Sequence, residues 1–196
     1  MYLVDYSIIK KLTASLIIGL IIKLLDDYLD EDNNLLIHTL DKAILPYSII
    51  FFSIASAIHV QYAVTLMSSC YIVGMFHDLN MKLSTGFKGY QESIIIFIIN
   101  CCMFSFRSIT TSMLIMIVIQ FIDDIHDMKL DRKYGYKNFA NKFGKIEIIL
   151  MGLIMIILLL MFDYIKLIIV LLCYILINVI YQKISINLLA KLGSNK

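Results

Sequence analysis

The chain has 196 residues, of which 60% are hydrophobic and 16% are charged, and its mean hydropathy is +0.85. A soluble domain of this length needs much less apolar sequence for its core, so the composition excludes a soluble globular protein and indicates an integral membrane protein. With a net charge of only +2, the chain gives no reason to expect a nucleic-acid partner.

Apolar stretches long enough, or nearly long enough, for membrane helices follow one another along the chain. They lie near residues 7–25, 43–58, 60–76, 93–106, 108–122, 146–162 and 166–181. Very tight turns separate the second stretch from the third and the fourth from the fifth. We therefore predict an all-α fold, a polytopic membrane helical bundle of about seven transmembrane helices in a single domain over residues 1–196.

Acidic residues are concentrated in two short segments, each directly after an apolar stretch. The first motif consists of Asp26, Asp27, Asp30 and Asn34, and the second motif of Asp123, Asp124, Asp127 and Asp131, at the same offsets. In a helix, positions i, i+4 and i+8 share one face with i+1 beside them, so each set forms a stripe. Like charges this close repel unless a cation joins them, and carboxylate oxygens suit Mg²⁺, which usually also bridges to phosphates.

The repetition predicts two parallel pseudo-repeats, about 7–76 and 108–181, around a central cavity. Seven spans place both motifs on one face of the membrane, together with twelve of the 17 Lys and Arg residues. By the positive-inside rule that face is cytoplasmic. A solvated helix end would explain one acidic cluster as well as a metal site does, but it does not explain two in register.

Basic side chains near the motifs suit the oxygens of a diphosphate. They include Lys82, Lys88, Arg132, Lys133 and Lys137, although membrane topology alone would account for Lys88 or Lys137 taken singly. An apolar interior below a diphosphate fits a long hydrocarbon tail, so the substrate implied is an isoprenyl diphosphate. Departure of the diphosphate leaves an allylic carbocation, for which 12 Tyr and 11 Phe residues offer aromatic faces.

The second motif also resembles a known family. Asp-Asp-Ile-His-Asp-Met-Lys-Leu-Asp-Arg-Lys-Tyr-Gly over 123–135 resembles the second signature of the UbiA superfamily of membrane prenyltransferases. Residues 26–34 resemble its first signature, and the segment 82–92 is similar to its middle cytoplasmic loop. The resemblance covers about residues 17–181 and implies a helical bundle with a central cavity, two Mg²⁺ ions and a prenyl diphosphate donor.

The resemblance also implies roles for individual residues. The metal ligands would be Asp26, Asp30, Asn34, Asp123, Asp127 and Asp131, supported by Asp27 and Asp124. The catalytic residues would be Asp26, Asp30, Asp123 and Asp127, and the diphosphate would be held by Lys82 and Arg132, with Lys133 and Lys137 beside them. Typical members have nine spans, and their Arg-Pro after the first motif is here Leu45-Pro46, so the acceptor site is the part least defined by the comparison.

Three functions remain open at this point. The sequence favours a Mg²⁺-dependent prenyltransferase that moves an isoprenyl group to an aromatic or lipid acceptor. The alternative is a UbiA-type membrane terpene cyclase, which converts farnesyl or geranylgeranyl diphosphate to a cyclic product without an acceptor. A non-enzymatic divalent cation transporter is less favoured, because its acidic residues would follow a path through the membrane.

Three polar residues fall within or near the apolar stretches: Gln120, Asn100 and Asn178. We expect them either to pack helices or to line the cavity.

Overall fold

The computed structural model describes the backbone of residues 2–29, 43–74 and 79–193. Six helices run through these ranges: α1 (Tyr2–Leu29), α2 (Ile44–Gly74), α3 (Gly89–Met103), α4 (Phe106–Tyr134), α5 (Phe139–Phe143) and α6 (Lys145–Gly193). No β-strand occurs in the described ranges, where one isolated bridge joins Lys82 and Lys88. The all-α prediction is confirmed.

Three of these helices are long and apolar enough to cross a membrane: residues Ile44–Gly74, Phe106–Tyr134 and Lys145–Tyr181. Among the described residues, α3 is a shorter apolar helix. In the most apolar window of Lys145–Tyr181 only 11% of the residues are buried, so most of this apolar surface faces outward. Such a surface is unfavourable in water and favourable in hydrocarbon, which supports the prediction of a membrane protein.

The two longest helices are each interrupted by a residue with non-helical dihedral angles. These residues are His59 in α2 (φ −155°, ψ 88°) and Asp163 in α6 (φ −155°, ψ 70°). At each break a side chain accepts the backbone N–H three residues later: His59 Nδ1 from Tyr62 at 3.3 Å and Asp163 Oδ1 from Lys166 at 3.1 Å. This is how a side chain caps the start of a helix, so a new helical segment begins at each break. Both breaks fall in gaps between predicted apolar stretches.

The turn between α3 and α4 lies slightly before its predicted position. Ser105 Oγ accepts the backbone N–H of Ser108 at 3.2 Å and Ser105 is the N-cap residue of α4. The preceding helix ends at Met103, whereas the apolar stretch suggested an end at residue 106. A Ser with extended backbone at the N-cap outweighs the apolar character of the residues on either side of it.

The chain divides into two compact units, Met1–Val64 with Ile168–Lys196 and Thr65–Leu167. In the first unit, α1 packs against the second segment of α6. Cys173 Sγ lies 3.7 Å from the carbonyl oxygen of Leu12, and a Cβ on Gly19 would come within 2.6 Å of Ile177 Cδ1. Gly19 therefore permits the close approach of these two helices.

The second unit is built around α4. Ser112 Oγ donates to Thr65 Oγ1 of α2 at 2.9 Å, and the Phe97 ring of α3 lies 6.0 Å from that of Phe106. Farther along α4, Phe121 belongs to a buried cluster with Ala140 and Ile148. This cluster joins α4, α5 and the first segment of α6, and it lies next to the second motif.

Candidate functional site

The second motif lies entirely within α4, as the helical interpretation predicted. Asp123, Asp127 and Asp131 are each half-buried, and a rise of about 1.5 Å per residue separates successive members by about 6 Å along the axis. The helix ends at Gly135 (φ 78°, ψ 19°), whose N–H donates to the carbonyl oxygen of Asp131 at 2.8 Å. A glycine accepts this left-handed conformation without the steric cost of a Cβ, so the chain turns sharply after the acidic stripe.

Asp124 has a different environment from its neighbours in the second motif. Its side chain is buried, with 4% exposed. Gln120 Nε2 donates to its Oδ1 at 3.0 Å, and the backbone N–H of Phe139 donates to its Oδ2 at 2.8 Å. The carboxylate therefore ties the start of α5 to α4, and neutral donors stabilise its charge. A direct role for Asp124 in binding metal stays a prediction.

Asn138 connects the end of the acidic stripe to α5. Its Nδ2 donates to the carbonyl oxygen of Asp124 and to Oδ2 of Asp131, both at 2.7 Å. Its Oδ1 accepts the backbone N–H of Asn141 at 2.9 Å, which caps α5. Asn138 is 5% exposed, so one buried amide fixes both the turn and the Asp131 carboxylate. Asn138 had no predicted role, although an Asn just before a helical segment is a readable cap signal.

A cavity of about 220 Å³ lies against the same part of α4. Its lining includes Gln120 together with Phe121, Phe139, Phe143 and Ile148. The Phe139 ring lies 6.2 Å from that of Phe121 and 6.1 Å from that of Phe143. Gln120, whose role the sequence left open, thus both lines the cavity and holds Asp124. A highly charged helix face and an apolar, aromatic cavity are direct neighbours.

The two motifs are described to different extents. Asp26 is exposed and its Oδ2 lies 3.8 Å from Lys23 Nζ. Asp30 and Asn34, and the side chain of Asp27, lie outside the described residues. The shared metal site therefore stays a prediction.

The described residues contain no group of three or more His, Cys, Asp or Glu side chains arranged to hold a metal ion. His126 Nδ1 lies 2.9 Å from Asp127 Oδ1. The oxygen donors of Asp123, Asp127 and Asp131 are chemically suited to Mg²⁺. They lie in a row along one helix, and their role as metal ligands stays a prediction.

Of the basic residues predicted to bind a diphosphate, Arg132 and Lys133 belong to the last turn of α4, Lys137 follows that helix, and Lys82 lies in the loop before α3. Arg132, Lys133 and Lys137 are exposed, and so is Lys82. Lys82 pairs with Lys88 through the isolated bridge, across a turn in which Gly86 has a φ of 86°. Their binding role stays a prediction.

Glu92 anchors the loop that carries Lys82 and Lys88. The hydroxyl groups of Thr85 and Tyr71 both donate to its carboxylate. The bond from Thr85 and, to a smaller extent, the bond from Tyr71 hold the pKa of Glu92 below its ordinary value. The ionised Glu92 carboxylate therefore fixes the loop through the hydroxyl group of Thr85.

Two cations at the opposite end of α4 are placed in a way that the sequence analysis missed. Lys166 is 1% exposed, and its Nζ donates to the carbonyl oxygen of Ser108 at 2.8 Å and to Ser112 Oγ at 2.5 Å. Arg107 donates to the carbonyl oxygen of Phe162. A charge at the end of an apolar stretch normally reaches the interface, so neither placement can be read from hydropathy alone.

Comparisons with models of known protein families, with curated proteins and with solved structures gave no match.

Proposed function

We propose that this chain is a Mg²⁺-dependent membrane prenyltransferase, which ionises an isoprenyl diphosphate and transfers the prenyl group to an aromatic or lipid acceptor. The observation that carries the proposal is the direct contact between the acidic end of α4 and an apolar cavity, through Gln120. A ligand with a highly charged head and a hydrocarbon tail matches this pair of surfaces.

In this proposal the second motif binds the metal, and Asn138 positions one of its carboxylates. Asp123, Asp127 and Asp131 would hold Mg²⁺, and Asn138 fixes the orientation of Asp131 through its bond at 2.7 Å. When bound, Mg²⁺ neutralises charge on the departing diphosphate. The first motif repeats the same offsets, and its contribution to the metal site rests on the sequence.

The exposed cations close to α4 complete the proposed diphosphate site. Arg132 and Lys133 stand in the last turn of α4, and a guanidinium can bind two phosphate oxygens at once. Lys137 would contribute from the segment after α4, and Lys82 from the loop before α3. The cavity would exclude water from the allylic carbocation, which a water molecule would otherwise capture.

The proposed topology has seven membrane spans with both motifs facing the cytoplasm. Helix α2 has 31 residues, about 46 Å of helix, which is more than one hydrocarbon thickness of about 30 Å. Two passes would have about 23 Å each and would depend on snorkelling side chains at their ends. The apolar segment Lys145–Tyr181 of α6 has 37 residues. The capped breaks at His59 and Asp163 support two passes for each of these helices, and α1, α3 and α4 would contribute one each.

A terpene cyclase is the second candidate, and one observation favours it. The rings of Phe121, Phe139 and Phe143 all line the cavity, and aromatic faces stabilise a cation that rearranges before it is quenched. In a cyclase the cation reacts with a double bond of its own chain and needs no acceptor.

One assay separates the two candidates. Detergent-purified protein is incubated with Mg²⁺ and geranyl, farnesyl or geranylgeranyl diphosphate, with and without membrane extract, and the products are identified by mass spectrometry. A transferase releases diphosphate only with extract, whereas a cyclase forms a cyclic hydrocarbon without it. If diphosphate is released in no arm, both proposals fail.

The metal site is tested by Asp127→Ala. Loss of this carboxylate should lower turnover by about 100-fold to 1,000-fold, the usual cost of removing one group that stabilises the transition state. Lys129→Ala is the matched control, because Lys129 is exposed on the same helix two residues away. Full activity of Asp127→Ala, or turnover that is indifferent to Mg²⁺, would refute the proposed site.

A further inference from the structure

A second cavity lies at the other end of α4, far from the acidic motif. Its volume is about 380 Å³, within the range of roughly 300–1,000 Å³ that small-molecule sites occupy. Phe106 and Leu114 of α4 line it together with Met161 and Phe162 of α6, and Arg107 supplies a charged group. An apolar lining with one cation is the composition of a site for a ligand that has an apolar part and an anionic part.

The charges around this second cavity favour an anion. Arg107 donates to the carbonyl oxygen of Phe162, and a guanidinium has five N–H donors, so one carbonyl does not exhaust it. Thr111, which lines the cavity, also lies 3.4 Å from the buried ammonium of Lys166. The nearby carboxylate of Asp163 accepts the backbone N–H of Lys166. Two cations and one carboxylate leave this region net positive.

The surroundings of the second cavity are suited to lipid. Phe106 is 65% exposed and Met161 is 76% exposed, and both belong to helices that are apolar enough to cross a membrane. Arg107 precedes Asp124 by 17 residues on one helix, about 26 Å at 1.5 Å per residue. That separation is close to the hydrocarbon thickness of about 30 Å, so Arg107 is at the level of the headgroups when the second motif is at the opposite surface.

We propose that this cavity binds a membrane phospholipid, with the phosphate on Arg107 and part of an acyl chain against the apolar lining. Basic pockets between membrane helices bind lipid headgroups by the same combination of charge and apolar contact. Free phosphate would leave the apolar lining unused, and an uncharged hydrocarbon would leave Arg107 unused. The inference is independent of the catalytic proposal, because it uses no residue of either motif.

The test measures which ligand the delipidated, detergent-purified full chain retains. Phosphatidylglycerol, diacylglycerol and inorganic phosphate are added separately, and bound lipid is counted by native mass spectrometry alongside the melting temperature. Phosphatidylglycerol should bind one molecule per chain and raise the melting temperature, whereas diacylglycerol and phosphate should do neither. A phosphate effect equal to that of the lipid would overturn the proposal.

Variants separate the charge from the apolar lining. Arg107→Gln should weaken lipid binding by about tenfold or more, as expected for loss of a charge-assisted hydrogen bond, and Arg107→Lys should retain part of it. Lys183→Gln removes an exposed cation and should bind lipid like the parent protein.

Thr110→Trp keeps Arg107 and fills the cavity that Thr110 lines, so it should also lose the lipid. Lipid retained undiminished by Arg107→Gln or by Thr110→Trp would overturn the proposal. If Arg107→Gln fails to fold, Thr110→Trp and the comparison of ligands on the parent protein still decide the question.

Discussion

The two ends of α4 hold charges of opposite sign, and neutral hydrogen-bonding groups contact the charge at both ends. At the acidic end, the carboxylates of Asp124 and Asp131 accept bonds from side-chain amides and a backbone N–H. At the other end, the ammonium of Lys166 donates to a carbonyl oxygen and two hydroxyl groups. These neutral groups stabilise the charges that they contact without adding a charge of their own.

The two ends of α4 differ in the other hydrogen bonds that these neutral groups make. Near Lys166 the hydroxyls have other acceptors: Thr111 Oγ1 donates to the carbonyl oxygen of Ser108 at 3.1 Å, and Ser112 Oγ donates to Thr65 Oγ1 at 2.9 Å. At the acidic end, a single amide, that of Asn138, serves two acceptors and caps a helix. The structure should therefore tolerate loss of the cation better than loss of the amide.

The largest difference in the free energy of unfolding should lie between two variants of Lys166, one with Ala and one with Met. Lys166→Ala should lower the free energy of unfolding by about 2–4 kcal/mol, because it empties the space of a large, fully buried side chain. Lys166→Met keeps most of that volume and removes only the charge. Since the surrounding hydroxyls keep their other bonds, Lys166→Met should cost less than about 1 kcal/mol. Unfolding in detergent measures both, and equal losses would mean that the charge itself is required.

Substitution of Asn138 tests the opposite end. Asn138→Ala should cost about 2–3 kcal/mol, because it leaves a buried helix N–H and the Asp131 carboxylate without this amide. Asn138→Ser restores an acceptor for the N–H of Asn141 and should recover about 1 kcal/mol. The difference between the Ser variant and the parent protein then reports the bonds to Asp131 and Asp124. If Asn138→Ser is as stable as the parent, those bonds do not hold the site together.

Much of the helical framework could be predicted from the sequence, because hydropathy and helix caps are local signals. The gap between residues 58 and 60 and the gap after residue 162 both contain a break. Asp163, Ser105 and Asn138 are residue types that prefer N-caps, so these three starts are readable in principle. His59 is a less common cap, and its role became visible only from the bond to Tyr62.

The details of the candidate site depend on contacts between residues distant in sequence. Asp123 and Asp124 are neighbours of the same type, and hydropathy gives no reason to separate them. Asp124 becomes buried because α5 docks on it, through Phe139, 15 residues later. The burial of Lys166 likewise depends on Ser108 and Ser112, more than 50 residues earlier. Local patterns carry no information about such pairings.

Glu92 extends the comparison to a third charge that neutral groups contact, and its substitutions should show the smallest effect. The hydroxyls of Thr85 and Tyr71 favour the ionised carboxylate, which lowers the pKa of Glu92 from 4.5. The stabilisation is therefore present above about pH 4.5 and is lost as the pH falls through the lower pKa of the folded state. Amide hydrogen exchange of Leu83 and Gly86, whose N–H groups bond within the loop, should speed up over that interval beyond the intrinsic pH dependence.

Thr85→Val removes the stronger of the two bonds, whereas Thr85→Ser keeps a hydroxyl in its place. At each pH the two variants have the same intrinsic exchange chemistry at Leu83, so a difference between them isolates the hydrogen bond. The Leu83 amide of Thr85→Val should exchange faster at neutral pH than that of Thr85→Ser. Its exchange rate should also change less when the pH is lowered. Identical profiles would mean that the backbone bonds of the turn, such as that from Leu83 to Phe87 at 2.9 Å, fix the loop by themselves. In that case neutral hydrogen-bonding groups would hold charges at the two ends of α4 and not at this loop.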